Sequence, residues 1–138
     1  EKAGELMNIS HDGDRVTALN ESGRRVKYTV RSSDKQMKSL RKRLAGGDLR
    51  ASIQSQCGAY GCSTPLIDEL VDISTGVEGV LGAQLSGAGL GGCIMALVKD
   101  EAVERFQDTI TESFYNKNDL PPQILNCTPI AGSGVFYL

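Results

Sequence analysis

The chain has 138 residues, of which 40% are hydrophobic and 23% charged, and its formal net charge is −2. A chain of this length is large enough for one domain with a hydrophobic core, so we expect a single domain over residues 1–138. No apolar run reaches the roughly 18 residues of a membrane helix, and the slight negative charge argues against nucleic-acid binding. We therefore expect neither a membrane nor a nucleic acid as a partner.

The first thirty residues predict a helix followed by a hairpin. Leu6 and Ile9 share one helical face, which indicates the end of a helix over residues 1–10. The turn-forming residues His11–Asp14 are expected to end it. Two short strands follow, at 16–19 and 26–30, joined through residues 21–23.

His11 and the acids beside it raise two chemical possibilities. His11 is the single histidine, and we interpret it as a helix-end or interface residue, with a catalytic role as the alternative. Asp12 and Asp14 lack the spacing and the distal glutamate of a calcium loop. We therefore predict no metal site here.

The cysteines are interpreted as reduced thiols of a cytoplasmic protein. No CxxC pair occurs and only one histidine is present, so a structural zinc site is not expected. Two of the cysteines fall in apolar, strand-like runs and are predicted to be small core residues. The four are Cys57, Cys62 and the two predicted core residues, Cys93 and Cys127.

The segment from residue 34 to residue 56 predicts two helices. Asp34 is expected to cap a helix over 35–44 that ends at Gly46 and Gly47. Asp48 is expected to cap a second helix over 49–56. The apolar positions predicted to face inward are Met37, Leu40 and Leu44 in the first helix, and Leu49 and Ile53 in the second.

Positive charge is concentrated in the first third of the chain. Ten of the fifteen Lys and Arg residues lie between Arg15 and Arg43. Such a cluster can face phosphates or an acidic partner. Because it lacks interleaved aromatic residues, we prefer a solvated face.

The second half predicts an alternation of helices and strands. Thr64 and Pro65 form a helix start, and the helix is expected to end at Gly76 or Gly79. Strands are predicted at 80–85 and 93–98, although a single helix from Gly92 also fits the spacing of the apolar residues. A helix is predicted to begin at Asp100, and strands are predicted at 124–128 and 134–138, around a turn. The face that this helix is expected to bury consists of Val103, Phe106, Ile110 and Phe114.

This order of elements predicts an α+β fold. Helix, two strands, helix and two strands match a ferredoxin-like, two-layer arrangement with an antiparallel sheet and helices on one face.

The glycine-rich loop between the strands at 80–85 and 93–98 is the candidate site. Glycines tolerate positive φ, and successive backbone N–H groups in such a loop form an anion site. The loop formally matches the GxGxxG dinucleotide fingerprint, but a strand follows where that fingerprint needs a helix. A Walker loop is excluded because no Gly-Lys-Ser/Thr follows. The candidate ligand-binding residues are Ser86, Gly87, Ala88, Gly89, Leu90, Gly91 and Gly92.

Three segments resemble galactokinase-type members of the GHMP kinases. GAQLSGAGLGGCIMALV, beginning at Gly82, is similar to the third conserved motif of that family. GELMNISH, beginning at Gly4, resembles its FGKLMNESH segment, and CSTPLIDELV, beginning at Cys62, resembles its VSCPELDELV segment. Ala88 and Leu90 depart from the common glycine and phenylalanine of the third motif, and Ser86 from its threonine.

The resemblance implies the C-terminal domain of an ATP-dependent sugar kinase that uses Mg²⁺. Such a kinase moves the γ-phosphoryl group of ATP to a monosaccharide hydroxyl, at C1 in galactokinases, with galactose as the default sugar. The motifs of the family's N-terminal half, which hold ATP and the sugar, do not occur in these 138 residues. We therefore expect the isolated chain to be inactive. Two alternatives are a small-molecule-binding or dimerisation module of ferredoxin-like fold, and a domain whose glycine loop only connects two strands.

Overall fold

The computed structural model describes residues 1–30, 32–90, 92–128 and 132. Its main elements are α1 (Lys2–Asp14), β1 (Thr17–Leu19), β2 (Arg25–Lys27), α2 (Asp34–Ala45), α3 (Pro65–Thr75), β3 (Val80–Ser86), β4 (Cys93–Val98) and α4 (Val103–Ile110). In the described part, β1 pairs antiparallel with β2 and β3 pairs antiparallel with β4. The predicted α+β class is confirmed, and the two strands flanking the glycine loop form as predicted.

The core lies where α3 and α4 pack on the β3–β4 hairpin. Leu70 of α3 meets Ile110 and Phe114, and Ile94 of β4 packs against them. The spacing of apolar residues along α4 placed this face correctly. The helix begins through a short 3₁₀ turn, Asp100–Ala102, and continues through a π-helical turn, Thr111–Tyr115, and a 3₁₀ turn, Asn116–Asn118.

Helix α1 lies directly against β3. A Cβ atom at Gly4 would overlap the Leu81 carbonyl oxygen, and one at Gly82 would overlap the Gly4 carbonyl oxygen. Only glycine permits this approach of two backbones. The Ala83 N–H donates to Asn8 Oδ1 at 3.0 Å, so a helix side chain satisfies a donor on the edge of β3. The helix thus covers an edge that would otherwise stay open.

The predicted end of α1 is wrong. The helix does not stop before His11 but runs to Asp14, and the Arg15 N–H closes it on the His11 carbonyl oxygen. His11 is fully buried, and a Cβ atom at Gly13 would come within 2.7 Å of the Gly58 nitrogen. Tertiary contacts along this face therefore override the turn preference of the local sequence.

The segment 33–56 differs from its prediction in three ways. Ser33, not Asp34, caps α2, because its hydroxyl accepts the Gln36 N–H at 3.2 Å. Asp48 does act as a cap, but two 3₁₀ turns follow instead of one helix, since Ser52 adopts an extended conformation between them. The predicted inward residues Leu49 and Ile53 are 75% and 89% exposed, and α2 contains no buried residue.

The C-terminal strand at 124–128 does not form. This segment has no regular secondary structure; Tyr115 donates its hydroxyl to the Gln123 carbonyl, and Gln107 bonds Asn126. Side chains of α4 and of its extension thus bind this segment, which pairs with no strand in the described part of the chain. Cys93 and Cys127 are exposed, so their predicted core role is wrong. The predicted strand at 134–138 lies outside the described residues.

Within the described ranges, no helix combines the length and the apolarity needed to cross a bilayer.

Candidate functional site

The turn between β3 and β4 depends on left-handed backbone. Gly87, Gly89 and Gly92 have φ values of 82°, 90° and 117°. Leu90, with φ 65°, adopts this region without being glycine, which is uncommon and costs free energy. Its side chain is 88% exposed, so packing of that side chain does not explain the conformation.

A contact with Cys62 explains why the turn adopts this shape. The Leu90 N–H donates to the Cys62 carbonyl oxygen at 2.8 Å. A Cβ atom at Gly89 would overlap that oxygen and would lie 2.8 Å from the Cys62 sulfur. Residue 89 therefore has to be glycine for two reasons, its positive φ and this approach. The turn is anchored on one side by Cys62.

The opposite side of the turn is open. A Cβ atom at Gly87 or at Gly92 would meet no heavy atom within 4 Å. Glycines at these two positions leave the backbone accessible to a bound group. Backbone N–H groups of an open glycine turn can bind an anion such as a phosphate.

Cys62 is itself fixed by the end of α1. Its thiol donates to Asp14 Oδ1 at 3.6 Å, and the next residue, Ser63, donates its N–H to the Asp14 carbonyl oxygen at 2.9 Å. Burial, together with the charge of Asp14, raises the pKa of the Cys62 thiol. The thiol is therefore protonated near neutral pH, and its role is packing and hydrogen bonding rather than nucleophilic attack.

A buried histidine–aspartate pair lies beneath the hairpin. His11 and Asp68 are both 0% exposed, and His11 Nε2 lies 3.4 Å from Asp68 Oδ1. The N–H of Leu85, the second-to-last residue of β3, donates to His11 Nδ1 at 3.3 Å. The pair therefore connects α1 and α3 to the strand that leads into the turn.

The Asp68 carboxylate is held by several donors. Its Oδ2 accepts the Val16 N–H at 3.1 Å, the Thr17 N–H at 2.7 Å and the Thr17 hydroxyl at 2.8 Å. Burial acts to raise the pKa of Asp68, but the nearby His11 and Ser63 side chains and the hydrogen bonds from Thr17 outweigh it and hold that pKa well below its usual range. Asp68 is thus an ionised group inside the protein.

A second concave region lies between β1 and α3 and has a volume of about 400 Å³. Its arginine, Arg15, bonds Asp72 at 2.6 Å and Asp12 at 3.0 Å. Arg25 bonds the other Asp72 oxygen at 2.8 Å. These ion pairs already use the positive charge of the cleft, so it is a weaker candidate for an anionic ligand than the turn.

The predicted site residues are continuous in sequence, and the structure shows what supports them. Ser86 ends β3 opposite Cys93, and the turn contains Gly87, Ala88, Gly89, Leu90 and Gly92, whereas Gly91 lies outside the described residues. Their ligand-binding role stays a prediction. Sequence interpretation missed the His11–Asp68 pair. Its signal was that Asn8 and His11 are three residues apart, on the helical face that contains Gly4.

The acids after His11 have structural partners. Asp12 pairs with Arg15, and Asp14 accepts from Cys62. Among the described residues, no group of three or more His, Cys, Asp or Glu is arranged to hold a metal ion.

Comparison with known proteins identifies the family. The family model for the C-terminal domain of GHMP kinases matches residues 30–116, which is more than half of the chain. The chain therefore belongs to the GHMP kinases, and the matched domain is their C-terminal one. The resemblance seen in the three sequence motifs is confirmed.

Three curated relatives of the chain are galactokinases. The chain is 28% identical over 130 residues to the galactokinase of Exiguobacterium sibiricum, covering 90% of this chain and 32% of that protein. It is 31% identical over 106 residues to that of Staphylococcus saprophyticus, covering 72% and 27%. It is 39% identical over 61 residues to that of Bacillus subtilis, covering 44% and 16%. The chain thus spans about a third or less of the relatives that it matches.

Proposed function

We propose that the chain is the C-terminal domain of a galactokinase-like sugar kinase, which transfers the γ-phosphoryl group of ATP to the C1 hydroxyl of a monosaccharide. The observation that carries the proposal is the glycine turn, anchored on Cys62 and open on its other side, in a domain of the GHMP kinase family. The names of the curated relatives support sugar as the acceptor. We place the reaction in the cytoplasm, where free thiols such as these four cysteines persist.

Phosphoryl transfer depends mainly on positioning and on stabilising charge. Residues Ser86–Gly92 would contribute backbone N–H groups toward the triphosphate of ATP, or would support a phosphate loop of the N-terminal half. When Mg²⁺-ATP is bound, the ion would supply positive charge to offset the charge of the transferred group, and no residue of this chain is assigned to hold it. The open space at Gly87 and Gly92 fits a bulky anion in this position.

We assign no catalytic base to this chain. The only buried acid–imidazole pair, among the described residues, is His11–Asp68, which is closed to solvent and engaged with backbone N–H groups. We propose that an N-terminal half supplies the sugar site, the principal ATP site and the base. The isolated chain should then form no ADP.

The first test is ADP release by the full-length protein with ATP, Mg²⁺ and a panel of monosaccharides that includes galactose. Turnover with galactose or a close relative, absent without sugar, is the expected result. The 138-residue chain alone is the matched control and should release no ADP above background. Absence of turnover with every sugar would reject the sugar-kinase proposal.

The turn itself is tested by comparing Gly89→Ala with Gly87→Ala. Both positions have positive φ, so both variants carry similar backbone strain, on the order of 1–2 kcal/mol. Only Gly89→Ala also collides with Cys62. If Cys62 positions the turn for ATP, Gly89→Ala should raise KM for ATP more than Gly87→Ala does. Unchanged ATP kinetics in both variants, with folding intact, would indicate a plain strand connection.

A binding or dimerisation module is the alternative function. It predicts that the full-length protein binds a small molecule or self-associates without forming ADP. Titration calorimetry with ATP separates the two, because the kinase should bind Mg²⁺-ATP and the module need not.

A further inference from the structure

We propose that His11 is a positioning residue for the glycine turn: its uncharged imidazole, oriented by Asp68, holds the backbone of β3 where the turn begins. The relevant contact is the Leu85 N–H on His11 Nδ1 at 3.3 Å, one residue before Ser86. The inference about shape stands on this geometry alone, and its consequence for ATP rests on the function proposed above.

The hydrogen bonds define the protonation of the ring. A nitrogen that accepts from a backbone N–H carries no proton of its own, so Nδ1 must be bare. The proton of a neutral imidazole then lies on Nε2, which is the nitrogen 3.4 Å from Asp68 Oδ1. The geometry therefore assigns the Nε2–H tautomer to His11.

His11 Nε2 and Asp68 Oδ1 have each other as their polar neighbours. Among the residues that the structure describes, neither His11 Nε2 nor Asp68 Oδ1 has a hydrogen bond within strict geometry, although both are buried. Burying a polar atom without a partner is costly, so each of these two atoms is stabilised mainly by the other, at 3.4 Å. Because Val16 and Thr17 fix the other carboxylate oxygen, Oδ1 stays directed at the ring.

Helix α1 thus supports the turn at two points. His11 holds Leu85 before the turn, and Asp14 holds Cys62 and Ser63. Cys62 in turn accepts the Leu90 N–H at its carbonyl oxygen and fills the space beside Gly89. Two backbone N–H groups, that of Leu85 before the turn and that of Leu90 within it, are therefore bonded to parts of the structure that α1 positions. A shift of the His11 ring would move the entrance of the turn without disturbing its Cys62 anchor.

Two substitutions separate this role from simple filling of the core. His11→Asn retains an acceptor oxygen at the position of Nδ1 but withdraws from Asp68. His11→Gln places its amide near the position of Nε2, keeping a donor for Asp68 but losing the acceptor for Leu85. If His11 only filled space in the core, His11→Gln should be the less harmful variant, because Gln is closer to His in size than Asn is.

Amide hydrogen exchange of Leu85 and of the turn is the direct measurement. We expect His11→Gln to speed exchange of Leu85 by about tenfold, the value of one net hydrogen bond. His11→Asn should stay within about threefold of the native chain. In the full-length kinase, His11→Gln should raise KM for ATP with kcat nearly unchanged. His11→Asn should leave KM for ATP near its native value. Equal exchange in the two variants, or the reverse order, would overturn the proposal.

A measurement on the unmodified chain covers the case in which the variants fail to fold. His11 is the single histidine, so its ring nitrogens give unambiguous ¹⁵N resonances. The Nε2–H tautomer at neutral pH is expected; an Nδ1–H tautomer or an imidazolium would overturn the assignment. If the tautomer and the exchange order hold while ATP affinity is the same in all variants, the positioning role stands and the phosphate role of the turn fails.

Discussion

Helix α3 and the segment 33–56 have similar patterns of apolar residues, but α3 buries most of them and the segment 33–56 leaves most of them exposed. In α3, Leu70 and Val71 are buried against β3 and α4. In the segment 33–56, α2 has a regular stripe of apolar residues and a capped start, yet it has no buried side chain, and Ile53 is among the most exposed apolar residues. The spacing of apolar residues therefore predicts which face a helix would bury, while burial itself depends on a partner surface.

The charges of the two regions differ in the same way. Asp68 in α3 is enclosed by backbone and hydroxyl donors, whereas Asp48, after α2, is bonded by Arg43 and Arg50 at the surface. One carboxylate is part of the interior that shapes the turn, and the other belongs to a solvated ion cluster. Variants in the two regions should therefore behave differently.

The largest difference should appear when a large apolar side chain is removed from the core on which α3 packs and from the segment 33–56. Phe114→Ala deletes a buried ring from the core cluster and should lower the free energy of unfolding by about 3–5 kcal/mol. Ile53→Ala removes a side chain that is 89% exposed and should change it by less than about 0.5 kcal/mol. Urea unfolding measures both.

Similar losses in the two variants would contradict the comparison. A large loss in Ile53→Ala would mean that the segment 33–56 is covered in solution by a surface that the described residues do not supply. The control is Phe106→Leu, a conservative change at the border of the same core cluster.

A smaller difference should separate two glycines. Gly4→Ala places a Cβ atom on the Leu81 carbonyl oxygen and forces α1 away from β3, which should cost about 1–3 kcal/mol. Gly46→Ala, at the end of α2, meets only ordinary contacts of 3.4 Å and has φ −83°, so it should be neutral or slightly stabilising. Thermal unfolding distinguishes them, and a neutral Gly4→Ala would show that α1 can move without cost.

The glycine turn could be predicted from the sequence because its requirements are local. The contacts that hold the turn in place could not be predicted. Positive φ at Gly87 and Gly89 belongs to the turn itself, and the flanking strands follow from apolar runs of strand length. The contact between Gly89 and Cys62 joins residues far apart in the chain, as does that between His11 and Asp68. No local pattern encodes such approaches. For the same reason the strand at 124–128 was wrong: its apolar content has no paired strand to satisfy it in the described fold.

The smallest effect concerns the two carboxylates, and salt should distinguish them. Hydrogen bonds from Arg43 and Arg50 lower the pKa of Asp48 to about 2. Because these partners are exposed, about 1 M salt, with a Debye length of about 3 Å, should raise that pKa toward its ordinary value of about 3.9. The pKa of Asp68 should stay low, since salt does not screen donors in the interior. NMR titration of the carboxyl carbons at low and high salt measures both.

The sign of the pH dependence follows from the same shift. A folded-state pKa below the unfolded value means that Asp68 stabilises the fold above about pH 4 and that this contribution is lost as the pH falls below it. Asp68→Asn should therefore lower stability at pH 7 and lose this disadvantage progressively in acid. The difference between the variant and the native chain should be nearly independent of salt, because the carboxylate's partners are buried N–H and hydroxyl groups. A salt-dependent difference would place Asp68, like Asp48, among surface charges and would remove the basis for its role in orienting His11.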